Sequence, residues 1–480
     1  MAMLPAGLLL ACLAGPALAD GRTTGSPLLL SPGELRRVEQ LSRRIWEHPE
    51  LGYLENRTSS LLQDALQEAG FDVQTGVAEM PTAFVARRGT GRPVIALLAE
   101  MDALPGMSQA AMPQHGPRME EPDGPGHACG HNLFGAAAVG AARTIAAWLE
   151  TTGSAGQVRV YGTPAEEGGS GKAYMVSAGV FDDVDIVLHW HPADGNDASQ
   201  STSMANINGR FVFEGRSAHA SIAPEQGRSA LDGVEAMNFM ANLMREHVPA
   251  GTRIHYVISD GGNAPNVVPA RAAAHYYVRH RDPAVVQDVA SRLQAAAEGA
   301  ATGTGTQVRF EPLGGVYSLL PNHTLGRLVH SVMAEAGGPG LAASDEAYAE
   351  ALRTTLERPG VLATMATVRP YRDDGHSSAS TDVGDVSWVV PTAGFSTATW
   401  IPGTPAHSWQ ATSASGHAVG TRGAIHAANL LAEVARRIYA DPGIVTQAWN
   451  EFRDARPAGF SYRSFTGRQT PPLDYRRPAQ

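Results

Sequence analysis

Apolar residues recur every three or four positions at Leu35, Val38, Leu41 and Ile45, directly after Ser31-Pro32-Gly33-Glu34. That spacing lays them on one helical face. The Ser-x-x-Glu box, with proline at the first helical position, marks the start, so a helix is predicted to about His48. A second is predicted over about 57–69 and stops at Gly70. The pattern then turns to strands at "TAFVAR" and "PVIALLAEMDA". The latter is apolar on both faces, as a central α/β strand should be. A Pro- and Gly-rich loop over about 105–126 precedes the helix "LFGAAAVGAARTIAAWLE", the strand "QVRVYG", a loop, a short helix and the strand "VDIVLHWH". Alternating strand and helix predicts an α/β fold: a mostly parallel sheet with helices on both faces.

From about residue 206 the order becomes β-α-β-β-α-β. "NINGRFVFEG" leads, a helix follows near 226–246, then "RIHYVISD" and "ARAAAHYYVRH", a helix opened by Asp282-Pro283, and "TQVRFEP". This is the ferredoxin-like order, and it predicts an inserted α+β domain over 206–316. The α/β pattern of 20–205 resumes over 317–455, with a strand at "AGFSTATWI" and a long helix from about His417 to Tyr439. The remaining 456–480, rich in Pro, Arg and Tyr, reads as a loosely packed extension.

A length of 480 residues agrees with more than one core. A formal charge of −10 argues against nucleic acid as a partner. Residues 1–19 carry no charged side chain, are apolar almost throughout and end in Ala17-Leu18-Ala19. They read as a cleavable signal peptide, which predicts a secreted or periplasmic protein. No other stretch is long and apolar enough for a membrane span, so no membrane partner is expected. Cleavage would remove Cys12, one of the two cysteines, and leave Cys129 without an internal disulfide partner.

Cys129 lies in "HACGHN". A lone cysteine is often a small buried hydrophobe, but Cys-x-His flanked by glycine is also a compact pair of soft metal ligands. Four further stretches bear on the choice, all in loops or at strand ends, where α/β domains place their sites. Glu166-Glu167, in "GTPAEEGGSGK", are adjacent carboxylates after a buried strand. A metal ion relieves their repulsion if one carboxylate ligates and the other stays free as a base. His189 and His191 lie two apart on one strand face, and periodicity does not choose between them. His407 follows a predicted strand and tight turn in "GTPAHSWQ", and His219 ends the first strand of the insert in "GRSAHAS".

The ordered set "AEMDALPG", "HACGHN", "GTPAEEGGSGK", "WHP", "GRSAHAS", "GGNAPNVVP", "STDVGDVSW" and "GTPAHSWQ" resembles the aminoacylase/carboxypeptidase G superfamily of two-metal peptidases, in its amidohydrolase branch. The resemblance runs from about residue 31 to 450. It implies two divalent metal ions per chain, zinc or manganese, with Cys129, His131, Glu167, His191 and His407 as ligands and Glu166 as general base. His189 and Asp102 then stand behind the ligands, Asp102 orienting one of them. It also implies that His219 reaches the reacting carbonyl, often from a partner subunit, and that Asn266 meets a substrate carboxylate. Arg279 is a candidate for the basic clamp on that carboxylate. The implied activity is hydrolysis of an N-acyl or N-aroyl amino acid, or a dipeptide-like substrate, of the p-aminobenzoyl-glutamate kind. The 20–205 and 317–455 segments become the catalytic domain and the insert a lid and dimerisation domain, in a homodimer or a heteromer with a related subunit. Related amidohydrolases often carry aspartate where this chain has Asn132.

Two other readings compete. A regulatory metal-binding subunit would have no reason to keep Glu166 and His219. A thiol enzyme using Cys129 as nucleophile would leave Glu166, Glu167, His191 and His407 idle, and unlike a metal enzyme it would survive chelation.

Overall fold

The computed structural model describes residues 26–468 and 470–477, so the expected signal peptide lies outside the described residues. Ten strands are formed among them: β1 (Asp72–Thr75), β2 (Phe84–Thr90), β3 (Val94–Glu100), β4 (Gly156–Thr163), β5 (Ile186–Ala193), β6 (Ala205–Glu214), β7 (Arg253–Asp260), β8 (Arg271–His280), β9 (Gln307–Val316) and β10 (Thr392–Ala398). They make two sheets, of order β1-β2-β4-β3-β5-β10 and β7-β8-β6-β9.

In the first sheet β4, β3, β5 and β10 are mutually parallel, while β1 and β2 add an antiparallel margin. Every residue of β3 is buried, as its unbroken apolar run requires. The long helices His131–Thr152 and Ala418–Ala440 pack on each other and on this sheet. Ser31 caps the helix Pro32–Trp46 by accepting from the Glu34 amide, and Val38, Leu41 and Ile45 are its buried stripe. Because the four parallel strands point one way, their carboxyl ends share one rim. Glu100, the 164–170 loop, His191 and the turn carrying His407 all arise there.

The second sheet is wholly antiparallel, with the strand order of a ferredoxin-like unit. Its core joins Phe211, Phe213, Tyr276 and Val278 to Val286, Val289 and Leu293 of the helix Pro283–Thr304. Burial of each such side chain stabilises by roughly 1.5–3 kcal/mol.

The C-terminal segment differs from the loose extension expected. Phe465 is 7% exposed and belongs to the core of the insert. Its ring stacks on Tyr317 with centroids 4.2 Å apart. Tyr462 Oη donates to Asp385 Oδ1 at 2.7 Å, and Arg468 Nε donates to the Pro312 carbonyl at 2.7 Å. Aromatic residues in this segment are therefore packing groups, which composition alone does not reveal. One consequence concerns sheet edges. β9 is flanked by this segment, whereas β7 is an edge with Val257 61% exposed, beside a helix (Ala230–Met244) whose Phe239 is 66% exposed.

Candidate metal centre

Gly130 opens the helix that carries His131, and its φ of 75° places the chain in the left-handed region. A Cβ there would also lie 2.8 Å from the Pro192 side chain, so glycine lets "HACGHN" close onto the end of β5. Cys129 and His191 are brought together by this closure, with Sγ and Nε2 3.5 Å apart. His131, fully buried, directs Nδ1 to the Asp102 carbonyl at 2.9 Å and to Asp102 Oδ1 at 3.2 Å. Its Nε2 is left facing Glu100 Oε2 at 3.1 Å. His407 adopts a φ of 58°, strained for a non-glycine residue, and its amide donates to the Ala128 carbonyl at 3.0 Å. Its Nε2 lies 3.3 Å from Glu167 Oε1.

Three groups of potential ligand atoms result, each within 4.8 Å: Cys129, His131 and His191; Cys129, Glu167 and His407; and Glu100, His131 and Glu166. Cys129 and His131 each belong to two groups. His189 belongs to none; its ring packs over Gly394, where a Cβ would come within 2.2 Å of Nε2. His127, the other imidazole of the motif, is a core residue that burial keeps neutral, with its pKa down to about 3.

The donor set fits divalent metal. Glu100 Oε2, His131 Nε2 and Glu167 Oε1 are buried with close ionic contacts to one another or to His407 but no well-formed hydrogen bond, which a protein interior rarely tolerates. Thiolate, imidazole and carboxylate together suit zinc or manganese. Burial, then Glu100 and Glu167, pushes the Glu166 carboxyl well above the usual range. Burial acts against the Glu167 charge, but the His407 hydrogen bond and the nearby His131 outweigh it and hold the carboxyl low.

Sequence reasoning missed the groups beneath the centre. Glu100 ends β3 inside "AEMDALPG", and Lys172 and Asp382 stand in "GTPAEEGGSGK" and "STDVGDVSW". All three are buried, with Lys172 Nζ 2.8 Å from Glu100 Oε1 and 2.7 Å from Asp382 Oδ1. An acidic residue ending an otherwise apolar strand was the available signal. Burial works against the Glu100 charge, yet Lys172, His131 and His191 hold its pKa at about 2. Its contribution to folding is thus full above about pH 4.5 and is lost as pH falls toward 2. Lys172→Met is expected to cost about 3–5 kcal/mol, because two carboxylates remain buried without their cation. Urea melts of the metal-free protein check this, and an unchanged midpoint would deny Lys172 that role.

Asn132 Nδ2 donates to the Ser415 carbonyl at 3.0 Å and the Ser42 carbonyl at 3.3 Å. An aspartate carboxylate, an acceptor only, could make neither bond.

The insert residues do not join the cluster within this chain. His219 is exposed, and its Nδ1 faces the Ser221 and Ile222 amides at 3.3 Å. Asn266 lies beside it, its carbonyl accepting from the Ala220 amide. Arg279 pairs across the sheet with Asn206, whereas Arg271, at the other end of β8, pairs with Glu214 just before the His219 loop. Eight residues of strand separate those ends by about 26 Å. Arg279 and Asn266 of one chain therefore cannot grip one carboxylate.

Comparison with known proteins agrees with this architecture. The model of peptidase family M20/M25/M40 matches residues 96–367. The chain is 38% identical to one component of the p-aminobenzoyl-glutamate hydrolase of Escherichia coli K12, covering 87% of this chain and 92% of that one. It is 30% identical to the mouse Xaa-Arg dipeptidase, over 87% and 89% of the two chains. Its fold is that of a dinuclear metal-binding M20 peptidase from Bacillus subtilis, with a TM-score of 0.58 at 20% identity over 85% of this chain and 99% of that one. This chain belongs to peptidase family M20/M25/M40 and is a hydrolase of amide bonds.

Proposed function

We propose that the protein cleaves the amide of an N-acyl or N-aroyl amino acid with two divalent metal ions held by Cys129, His131, Glu167, His191 and His407. The observation that carries this reading is that Cys129 belongs to two ligand groups, so its thiolate could serve either ion. Bound ions supply Lewis acidity and an acidified water. Asp102 holds Nδ1 of His131 and so leaves Nε2, which faces Glu100, as the nitrogen that would ligate. Glu166 is the carboxylate of the pair outside the Cys129–Glu167–His407 group. It takes the proton of the attacking water and returns it to the leaving nitrogen. An aroyl amino acid is favoured by the likeness to the E. coli hydrolase, whose name specifies p-aminobenzoyl-glutamate. A panel of N-acyl amino acids, including that compound, assayed after loading with zinc or manganese, tests the substrate class and the metal together. No hydrolysis of any member with either metal would overturn the reading.

His219 and Asn266 act, in this proposal, on the site of a partner subunit. β6 spans ten residues, roughly 33 Å, between the catalytic domain and the loop that bears His219. The open β7 edge and the apolar face with Phe239 support pairing of two copies through their inserts. The E. coli relative is named as one component of its hydrolase, which supports a related chain as an alternative partner. Mixing inactive His219→Ala and Glu166→Gln chains under exchange conditions should restore up to about half of a wild-type dimer's activity, one site in each mixed dimer being intact. Subunit exchange without recovery would place the action of His219 within its own chain or nowhere.

A further inference from the structure

We propose that Arg476 is a positioning residue for the Glu166–Glu167 loop, and that Tyr462, Phe465, Arg468 and Tyr475 help it strap this loop to the insert. The proposal rests on the metal-centre reading only in taking Glu167 as a ligand. The loop needs external support, since Ala165 and Ser170 have φ of 58° and 57° and Gly168 has a φ of 117°. Strained backbone of this kind persists where its surroundings over-determine it.

Four contacts do so. Glu55 Oε1 accepts from the Ala165 amide at 2.8 Å, and Tyr53 Oη donates to the Gly169 carbonyl at 2.7 Å. Glu167 is gripped on both sides: its amide donates to Asp102 Oδ2 at 2.8 Å and its carbonyl accepts from Arg476 Nη2 at 2.5 Å. Asp102 is the group that orients His131, so Arg476 completes a frame that includes two ligand positions. It comes from 309 residues away.

Tyr475 closes the back of the same loop. Its ring meets Tyr53 edge to face, with centroids 5.6 Å apart. A Cβ added to Gly168 would touch both Tyr475 and Arg476, at 3.6 and 3.7 Å, so the segment lies flat against the loop. Upstream, Arg468 and Phe465 fasten the segment to β9 and Tyr317, where the insert returns to the catalytic domain. Removing Arg476 frees the Glu167 carbonyl and lets the loop relax toward ordinary backbone angles, which moves the carboxylate.

Hydrogen exchange and divalent-metal titration of full-length protein test this, using Arg476→Ala, Arg476→Lys, Tyr475→Phe and Glu167→Gln. Arg476→Ala should speed exchange of the 167–169 amides about tenfold or more in the metal-free protein. It should also weaken binding of one zinc or manganese equivalent about 10–100-fold. Arg476→Lys should recover much of both, because one charged donor suffices for one carbonyl. Tyr475→Phe should change neither, since it keeps the ring that packs on Tyr53. Wild-type exchange and affinity in Arg476→Ala would overturn the proposal. Faster exchange with wild-type affinity would also overturn the positioning role; if Glu167→Gln still weakens binding, the metal centre stands and only this proposal falls. If Glu167→Gln binds metal normally as well, the assignment of Glu167 as ligand fails with it.

Discussion

Glu166→Gln is expected to keep both metal ions and lose nearly all turnover. The amide is close in size to the carboxylate but cannot accept the proton of the attacking water. General-base contributions run about 10²–10⁴-fold, and a group serving both proton transfers belongs at the upper end. In the chain without metal, burial and the carboxylates of Glu100 and Glu167 raise the Glu166 carboxyl well above the usual range. Neighbouring divalent cations favour the ionised form and so turn the residue into a base. Metal content by elemental analysis and rate should be measured on one sample. Turnover near wild type in a fully loaded variant would remove Glu166 from this role.

Cys129→Ser is expected to strip metal far more than it disturbs folding. The two side chains are nearly isosteric, so the fold should lose no more than the roughly 1–3 kcal/mol of burying a hydroxyl. A thiolate shared by two ligand groups, however, has no equal in an alcohol. Loss of affinity should exceed the roughly 10–100-fold typical of removing an outer partner of a ligand. Burial also pushes the Cys129 thiol up. Binding must then expel that proton, and wild-type affinity should rise with pH. The serine variant should lose this component of the pH dependence. Two ions retained at wild-type affinity would make Cys129 a packing residue and reopen the choice posed by a lone cysteine.

Local pattern determined much of this protein. Hydrophobic spacing predicted the helix after Ser31, the buried strand before Asp102 and the β-α-β-β-α-β insert. Each of these rests on interactions within a few residues or on a face that must be buried, so period and caps suffice. The same pattern put Cys129, His131, Glu166, Glu167, His191 and His407 in loops or at strand ends, and the parallel strands then bring those ends to one rim. Period two left His189 and His191 equivalent. Only packing separates them, through Gly394 under one ring and Cys129 beside the other. Glu100 and Lys172 were invisible as a pair because they lie 72 positions apart, and a buried charge declares its partner only in three dimensions. The tail shows the limit most clearly. Its Pro, Arg and Tyr content matches a solvated extension, yet Phe465 enters the core of the insert and Arg476 reaches the Glu167 carbonyl. A contact spanning 309 residues has no local signature, because a single donor meeting a single carbonyl leaves no period to read.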